Sequence, residues 1–429
     1  MRHLLGKFTP NASRAVFSGM ATLALGSGAG RLISIATIPV VTRIYGPEDF
    51  GVLSVFTAVV LILAPLATLR YVLALPLPRH DGLAMNLLAL VLCLLVGIGS
   101  LLAFALWFLG EVLFGLLSME VLAPWWWLIV LGVLGTAAYE ALTLWATRKR
   151  AYKVMAQTQV TQSVAGAAVK IGLGLAGLQP LGLLIGQVVA QAGGTVRLWR
   201  NFVFDFRTNW RHVGIFRMRK AAWHYRSMPI WRVPSQFLMI FSMQVPVLAF
   251  SALYDAATVG QLGLAFTALA IPISVLGETT SKAYYAEISQ IGRYDPKGLL
   301  AVTRSTLSTM LIVSLGPSLI LFLFGEPIFE MVLGASWKVA GRYAEILSFY
   351  LLLQFLSNPI STVFSVLRME WAYFLINAQR VILIVGGFIA SGLLNHTPEA
   401  ALALFVILTS LHRVSFLGFI LLTLKRMTK

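Results

Sequence analysis

The chain has 429 residues, 58% of them hydrophobic and 11% charged, with a formal net charge of +17. A soluble domain carries roughly 25% charged residues, so this composition excludes a soluble enzyme and marks an all-α integral membrane protein. The single Cys93 has no partner for an intrachain disulfide, and the six histidines show no metal-ligand spacing, so no metal site or cofactor is expected.

Hydropathy predicts twelve membrane helices, at 16–42, 51–75, 83–109, 121–147, 155–177, 181–199, 229–253, 257–281, 299–324, 341–366, 371–394 and 399–424. Crossing a bilayer takes roughly 20 residues. The first span follows Arg2 and Lys7 and runs on to Thr42, too long for a signal-peptide core, and reads as a retained helix. It carries Arg31, with Ser27 and Gly28 one turn before and Ser34 one turn after. A charge inside the bilayer costs about 3 kcal/mol on insertion scales, so this small polar face reads as the wall of a wet cavity. The alternative is an ion pair from Arg31 to Glu140 or Glu278.

Arg70, near the inner end of the second span, is placed to snorkel to the headgroups. Glu140 in the fourth span and Glu278 in the eighth are the only carboxylates well inside spans and are the candidate ion-coupling groups. Arg148 near Glu140, and Lys282 one turn after Glu278, offer each a structural pairing instead. Lys170 lies on a face with Ser163, Gly166 and Gly174, which fits a cavity wall or a tight helix contact equally well.

Segment 201–228 is basic and aromatic, with Trp210, Arg217, Arg219, Lys220 and Trp223. It fits an interfacial helix or a plain inner connector. It divides the chain into an N-lobe (1–205), a connector (206–228) and a C-lobe (229–429). Span seven, with Pro234 and Pro246 around Gln244, is expected to be the most heavily broken. In span eleven Arg380 lies nine residues past Trp371, with Asn377 beside it. That is roughly 13 Å into the membrane at 1.5 Å per residue. Arg413 in the last span has the same snorkelling escape as Arg70.

With both termini inside, 25 of the 33 Lys and Arg fall on the inner side, three on the outer side and five within spans. This is the positive-inside pattern, so the basic surplus is mostly topology and does not point to nucleic acid. The two halves are weakly alike. Gly51 and Gly260 follow the first outer turn of each half, and Pro65 and Pro272 follow them, as a parallel repeat would place them. Walker A, H-E-x-x-H and G-x-S-x-G signatures are missing, and no outer segment is long enough for a catalytic domain. Asn395-His396-Thr397 fits a glycosylation sequon.

Several segments taken together resemble one family. They are Thr42 to Gly51, Leu69-Arg70-Tyr71, Tyr225 to Pro229, Pro234-Ser235, Gln244-Val245-Pro246, Val259-Gly260, Leu333 to Trp337 and Ser357 to Ser361. They are similar to the polysaccharide-transporter (Wzx-type) flippases of the multidrug/oligosaccharidyl-lipid/polysaccharide (MOP) exporter superfamily, although Met228 stands where the family more often has an aromatic residue. The resemblance implies a MATE-like fold, two six-helix lobes around a central cavity lined by spans one, two, seven and eight. It implies as cargo a polyprenyl-pyrophosphate-linked oligosaccharide, for O-antigen, capsule or exopolysaccharide synthesis. It also implies residence in the bacterial inner membrane among its lipids, with cytoplasmic termini, and other polysaccharide-assembly proteins as partners.

The substrate-binding candidates are Arg31, Lys170, Arg380 and Arg70, with Ser27, Ser34, Gln244 and Asn377 as polar cavity residues. Rival readings are a drug or small-cation exporter, a membrane glycosyltransferase or polymerase, and a non-transporting scaffold.

Overall fold

The computed structural model describes residues 10–273, 277–292, 295–367 and 369–428, with side chains from residue 22 onward except those of Glu278, Thr279, Lys282 and Glu370. Helices make up most of the described residues, no strand occurs among them, and ten helices are long and apolar enough to cross a membrane. Each of the twelve predicted spans coincides with one or two helices. The two that fall outside the ten have simple reasons. Helix α5 (Tyr152–Leu175) carries Gln157, Gln159, Gln162 and Lys170, and α10 (Ala256–Pro272) is short at 17 residues.

The chain divides into two compact units. Unit 1 comprises Met1–Tyr45, Phe56–Gly115 and Glu120–Phe237. It holds α1 (Pro10–Ile44), most of α2 (Pro47–Ala67), α3 (Asp81–Gly115), α4 (Trp126–Arg148), α5, α6 (Leu181–Ala192), α7 (Thr195–Trp210) and α8 (Ile215–His224). Helix α1 packs on α5, and α5 on α6. Without a hydrophobic drive between helices in lipid, close packing needs small residues. A Cβ on Gly166 of α5 would lie 2.6 Å from the Ala190 Cβ on α6.

The end of unit 1 that carries Asp81, Arg148 and Asp205 is tied by polar contacts. Arg148 donates to Asp81 at 2.8 Å and 2.9 Å, and Lys149 bridges Asp81 (2.8 Å) and Asp205 (3.3 Å). Burial alone would lower the Lys149 pKa, but hydrogen bonds to these two carboxylates outweigh it and hold the pKa above the usual lysine value. Asn86 on α3 accepts from the Gly214 N–H (3.1 Å) and donates to the His212 carbonyl (2.9 Å), fixing the turn between α7 and α8. The basic segment is thus helical and packed in part, while Ile215, Phe216 and Trp223 remain exposed.

Unit 2 comprises Gly46–Val55, Leu116–Met119 and Leu238–Lys429. It holds most of α9 (Val233–Leu253), together with α10, α11 (Glu278–Ile291), α12 (Pro296–Leu333), α13 (Lys338–Ile360), α14 (Val363–Leu367), α15 (Glu370–Leu393) and α16 (Pro398–Met427). Helix α13 packs on α10, α12 and α16, around a core that includes Phe364, Phe416 and Ile420. Span seven is less broken than expected. Pro234 sits in the first turn of α9, where a helix tolerates proline, a five-residue wide turn (Met228–Arg232) precedes it, and only Pro246 lies inside. The sequon threonine, Thr397, caps α16 by accepting from the Ala400 N–H.

Motifs far apart in sequence meet at one end of unit 2. Trp337 is fully buried with its ring edge-on to Phe50, centroids 4.8 Å apart. Gln261 donates to the Ser336 carbonyl (2.7 Å) and accepts from the Ala340 N–H (2.8 Å). Three of the segments that carried the family resemblance, Thr42 to Gly51, Val259-Gly260 and Leu333 to Trp337, therefore meet here.

Candidate functional site

The stranded cations sort by what surrounds them. On α1, Gly26 and Gly30 face α5, whereas a Cβ on Gly28 would meet nothing within 4 Å. Arg31 and Ser34 are exposed, and Ser27 is half-buried with its hydroxyl on the Ala24 carbonyl. The polar face read from the sequence is thus the face α5 leaves uncovered.

Lys170 reaches from α5 to α6 and donates to Gln187 Oε1 at 2.8 Å. Its stem runs under Gly186, where a Cβ would lie 2.3 Å from the Lys170 Cγ. The Lys170 carbonyl accepts from the Tyr45 hydroxyl at 2.7 Å. A neutral amide orients this ammonium, and among the described residues no carboxylate neutralises it.

Arg70 departs from expectation. Helix α2 ends at Ala67, and Leu69 and Arg70 both take left-handed backbone angles, with φ of 44° and 57°. That conformation is uncommon for residues other than glycine and turns the chain sharply. Arg70 therefore does not snorkel. It is buried, donates to both Glu140 oxygens (3.0 and 3.1 Å), and bonds Gln236. Glu140 thus pairs with Arg70 and not with Arg148, whose own partner is Asp81, nor with Arg31. The side chains of Glu278 and Lys282 lie outside the described residues.

In unit 2, Arg380 on α15 bonds Ser242 on α9. Asn377 turns back to the Tyr373 carbonyl at 2.7 Å, and Gln244 is half-buried. Arg413 is also buried, contrary to the snorkelling reading. It bonds Ser357 and Gln354 and stacks over the Tyr350 ring at 4.9 Å. Depth could have shown this. Arg413 is fifteen residues from Pro398 and twelve from Lys425, so at 1.5 Å per residue it is roughly 20 Å from either end of α16.

The profile of a family described as "Polysaccharide biosynthesis protein" matches residues 40–342. The chain belongs to this family. No curated protein matches significantly. Among solved structures, the lipid II flippase MurJ in an inward closed conformation is similar at 14% identity, with 92% of this chain and 86% of that chain covered and a TM-score of 0.70. An inward-facing multidrug resistance MATE family transporter of the MOP superfamily is similar at 14% identity, with 96% and 99% covered and a TM-score of 0.64. At this identity both establish the fold. The chain is thus a multi-pass membrane protein that shares the fold of these two structures.

Proposed function

We propose that this chain is a flippase that moves polyprenyl-pyrophosphate-linked oligosaccharide repeat units from the cytoplasmic to the periplasmic leaflet of the bacterial inner membrane, by alternating access. Both termini are cytoplasmic in this reading, and proteins of polysaccharide assembly are its partners. The observation that carries it is Lys170, an ammonium inside a span, oriented by Gln187 and met by no carboxylate among the described residues, in a chain of the polysaccharide biosynthesis family. Arg31, with Ser27 and Ser34, adds a guanidinium suited to bidentate phosphate contact. Together they lower the cost of carrying a diphosphate through a low-dielectric interior. Arg380 groups with Arg413 instead.

The Arg70–Glu140 pair bears on the rival reading of a drug or small-cation exporter. Such a carrier needs an accessible anionic side chain, and Glu140 is already neutralised by Arg70. Glu140 as an ion-coupling group would require that pair to open. A glycosyltransferase or polymerase is disfavoured by the short connections at the outer side, such as Tyr254-Asp255 and the turn Gly334–Trp337.

A strain lacking the gene should lose surface polysaccharide and accumulate lipid-linked repeat units, and the wild-type gene should restore both. Full complementation by Arg31→Ala combined with Lys170→Ala, at normal protein level, would overturn the assignment of these cations. Polymer that persists without the gene would overturn the function.

A further inference from the structure

Unit 2 holds two guanidinium groups inside its spans, Arg413 buried and Arg380 half-buried, and among the described residues no carboxylate neutralises either. Phe388 on α15 stacks on Phe405 of α16 with centroids 5.9 Å apart, and Arg380 and Arg413 each lie eight residues further along these packed antiparallel helices, which sets the two guanidinium groups and His412 at one level. The hydrogen-bond partners of the two arginines are neutral: Ser242 for Arg380, and Ser357, Gln354 and the Tyr350 hydroxyl (3.4 Å) for Arg413. The described ion pairs of this unit all involve Glu326 or Glu330, with Lys338 and Arg342. Among the described residues no carboxylate meets Arg380 or Arg413.

Polar atoms are also left over. The Nε atoms of Arg380 and Arg413 and Nδ1 of His412 are buried without a hydrogen-bond partner. Arg413 is 6% exposed and His412 7%, so water does not serve them freely. One buried ion without a counter-charge costs several kcal/mol, and two of like sign add mutual repulsion. Serine, glutamine and tyrosine dipoles offset only part of this. A negative charge between the two guanidinium groups would offset most of it.

We propose that unit 2 contains a binding site for a small inorganic anion of chloride size, held by Arg380 and Arg413. The surroundings set the size. Ser242, Gln354, Ser357, His412 and Arg413 are all buried, so a lipid-linked oligosaccharide headgroup does not fit among them. The site joins four helices: Ser242 on α9, Gln354 and Ser357 on α13, Arg380 on α15 and Arg413 on α16. The ion therefore stabilises the packing of α15 and α16 against α9 and α13. The site is independent of the cargo reading and stands whatever the chain transports.

The test uses the purified full-length protein in detergent, titrated with sodium chloride against sodium gluconate at constant ionic strength. Thermal stability should rise with chloride and saturate. Bromide should substitute, and in crystals grown with bromide its anomalous peak should lie between Arg380 and Arg413. Arg380→Gln and Arg413→Gln should each weaken the apparent affinity at least tenfold, about 1.4 kcal/mol at 25 °C, because each removes a charged donor from the ion. Arg79→Gln, on the inner loop, should leave it unchanged. Where a variant does not fold, the wild-type titration and the bromide peak decide alone. Stability indifferent to chloride with no bromide peak, or undiminished affinity in both folded variants, would overturn the site.

Discussion

Gly51 and Gly260 press against each other's helix starts. A Cβ on Gly51 would lie 2.0 Å from the Ala256 carbonyl oxygen, and one on Gly260 would lie 1.8 Å from the Pro47 carbonyl oxygen. The two glycines occupy matching places in the two halves of the sequence, so the contact is reciprocal: each first turn receives the other. Backbone atoms cannot yield as a side-chain tip can, which is why both positions are glycine.

Alanine at either position is expected to destabilise the protein despite its better helix propensity. Overpacking costs typically 1–3 kcal/mol, against about 1 kcal/mol recovered by replacing glycine in a helix. Gly260→Ala should lower the thermal midpoint in detergent and Gly51→Ala should do the same. An unchanged midpoint in both would contradict the contact.

The Arg70–Glu140 pair should behave as a unit. Glu140→Gln leaves a buried guanidinium with only neutral partners and should cost about 2 kcal/mol, less than a fully buried pair because the Glu140 side chain is 32% exposed. Arg70→Met with Glu140→Met should recover much of that loss. A thermal-stability double-mutant cycle measures the coupling, and purely additive effects would refute it.

Lys170 should matter for transport more than for stability. Lys170→Met keeps the stem under Gly186, and the lost charge-assisted hydrogen bond is offset by relief of the cost of holding an ammonium in the span without a counter-charge, so the net change should be about 1 kcal/mol or less. Surface polysaccharide should nonetheless fall at least tenfold, which corresponds to about 1.4 kcal/mol in an energy barrier. Normal polysaccharide with a severely unstable protein would reverse the two roles.

Topology is open to a labelling test. With Cys93 replaced by alanine, a cysteine at Arg342 should react with a membrane-impermeant maleimide in intact cells. One at Arg217 should react only after permeabilisation. The opposite pattern would invert the orientation.

The helical plan was legible because apolar length reports the bilayer directly. A helix forms at the predicted span even for α5, whose glutamines and lysine make it less apolar than a simple threshold demands. What failed was the placement of side chains near helix ends. The turn at Leu69 and Arg70 adopts left-handed angles without a glycine, so nothing in the sequence marked it, and Arg70 looked free to reach the headgroups. The partner of Glu140 was misjudged for a related reason: Arg148 is near in sequence, but the fold brings Arg70 to it. Arg413 was readable from its depth in α16, but its bond to Ser357 needed the packing of α16 on α13.

The central claim is tested most directly by reconstitution. Purified protein would be placed in liposomes with a fluorescent polyprenyl-pyrophosphate-linked oligosaccharide, and the fraction exposed to an added oligosaccharide-cleaving enzyme followed in time. Wild-type protein should expose cargo from the inner leaflet well above the protein-free rate, and Arg31→Ala with Lys170→Ala should return it to that rate. Wild-type protein no faster than empty liposomes would contradict the flippase reading, and a double variant as fast as wild type would contradict the role given to its cations.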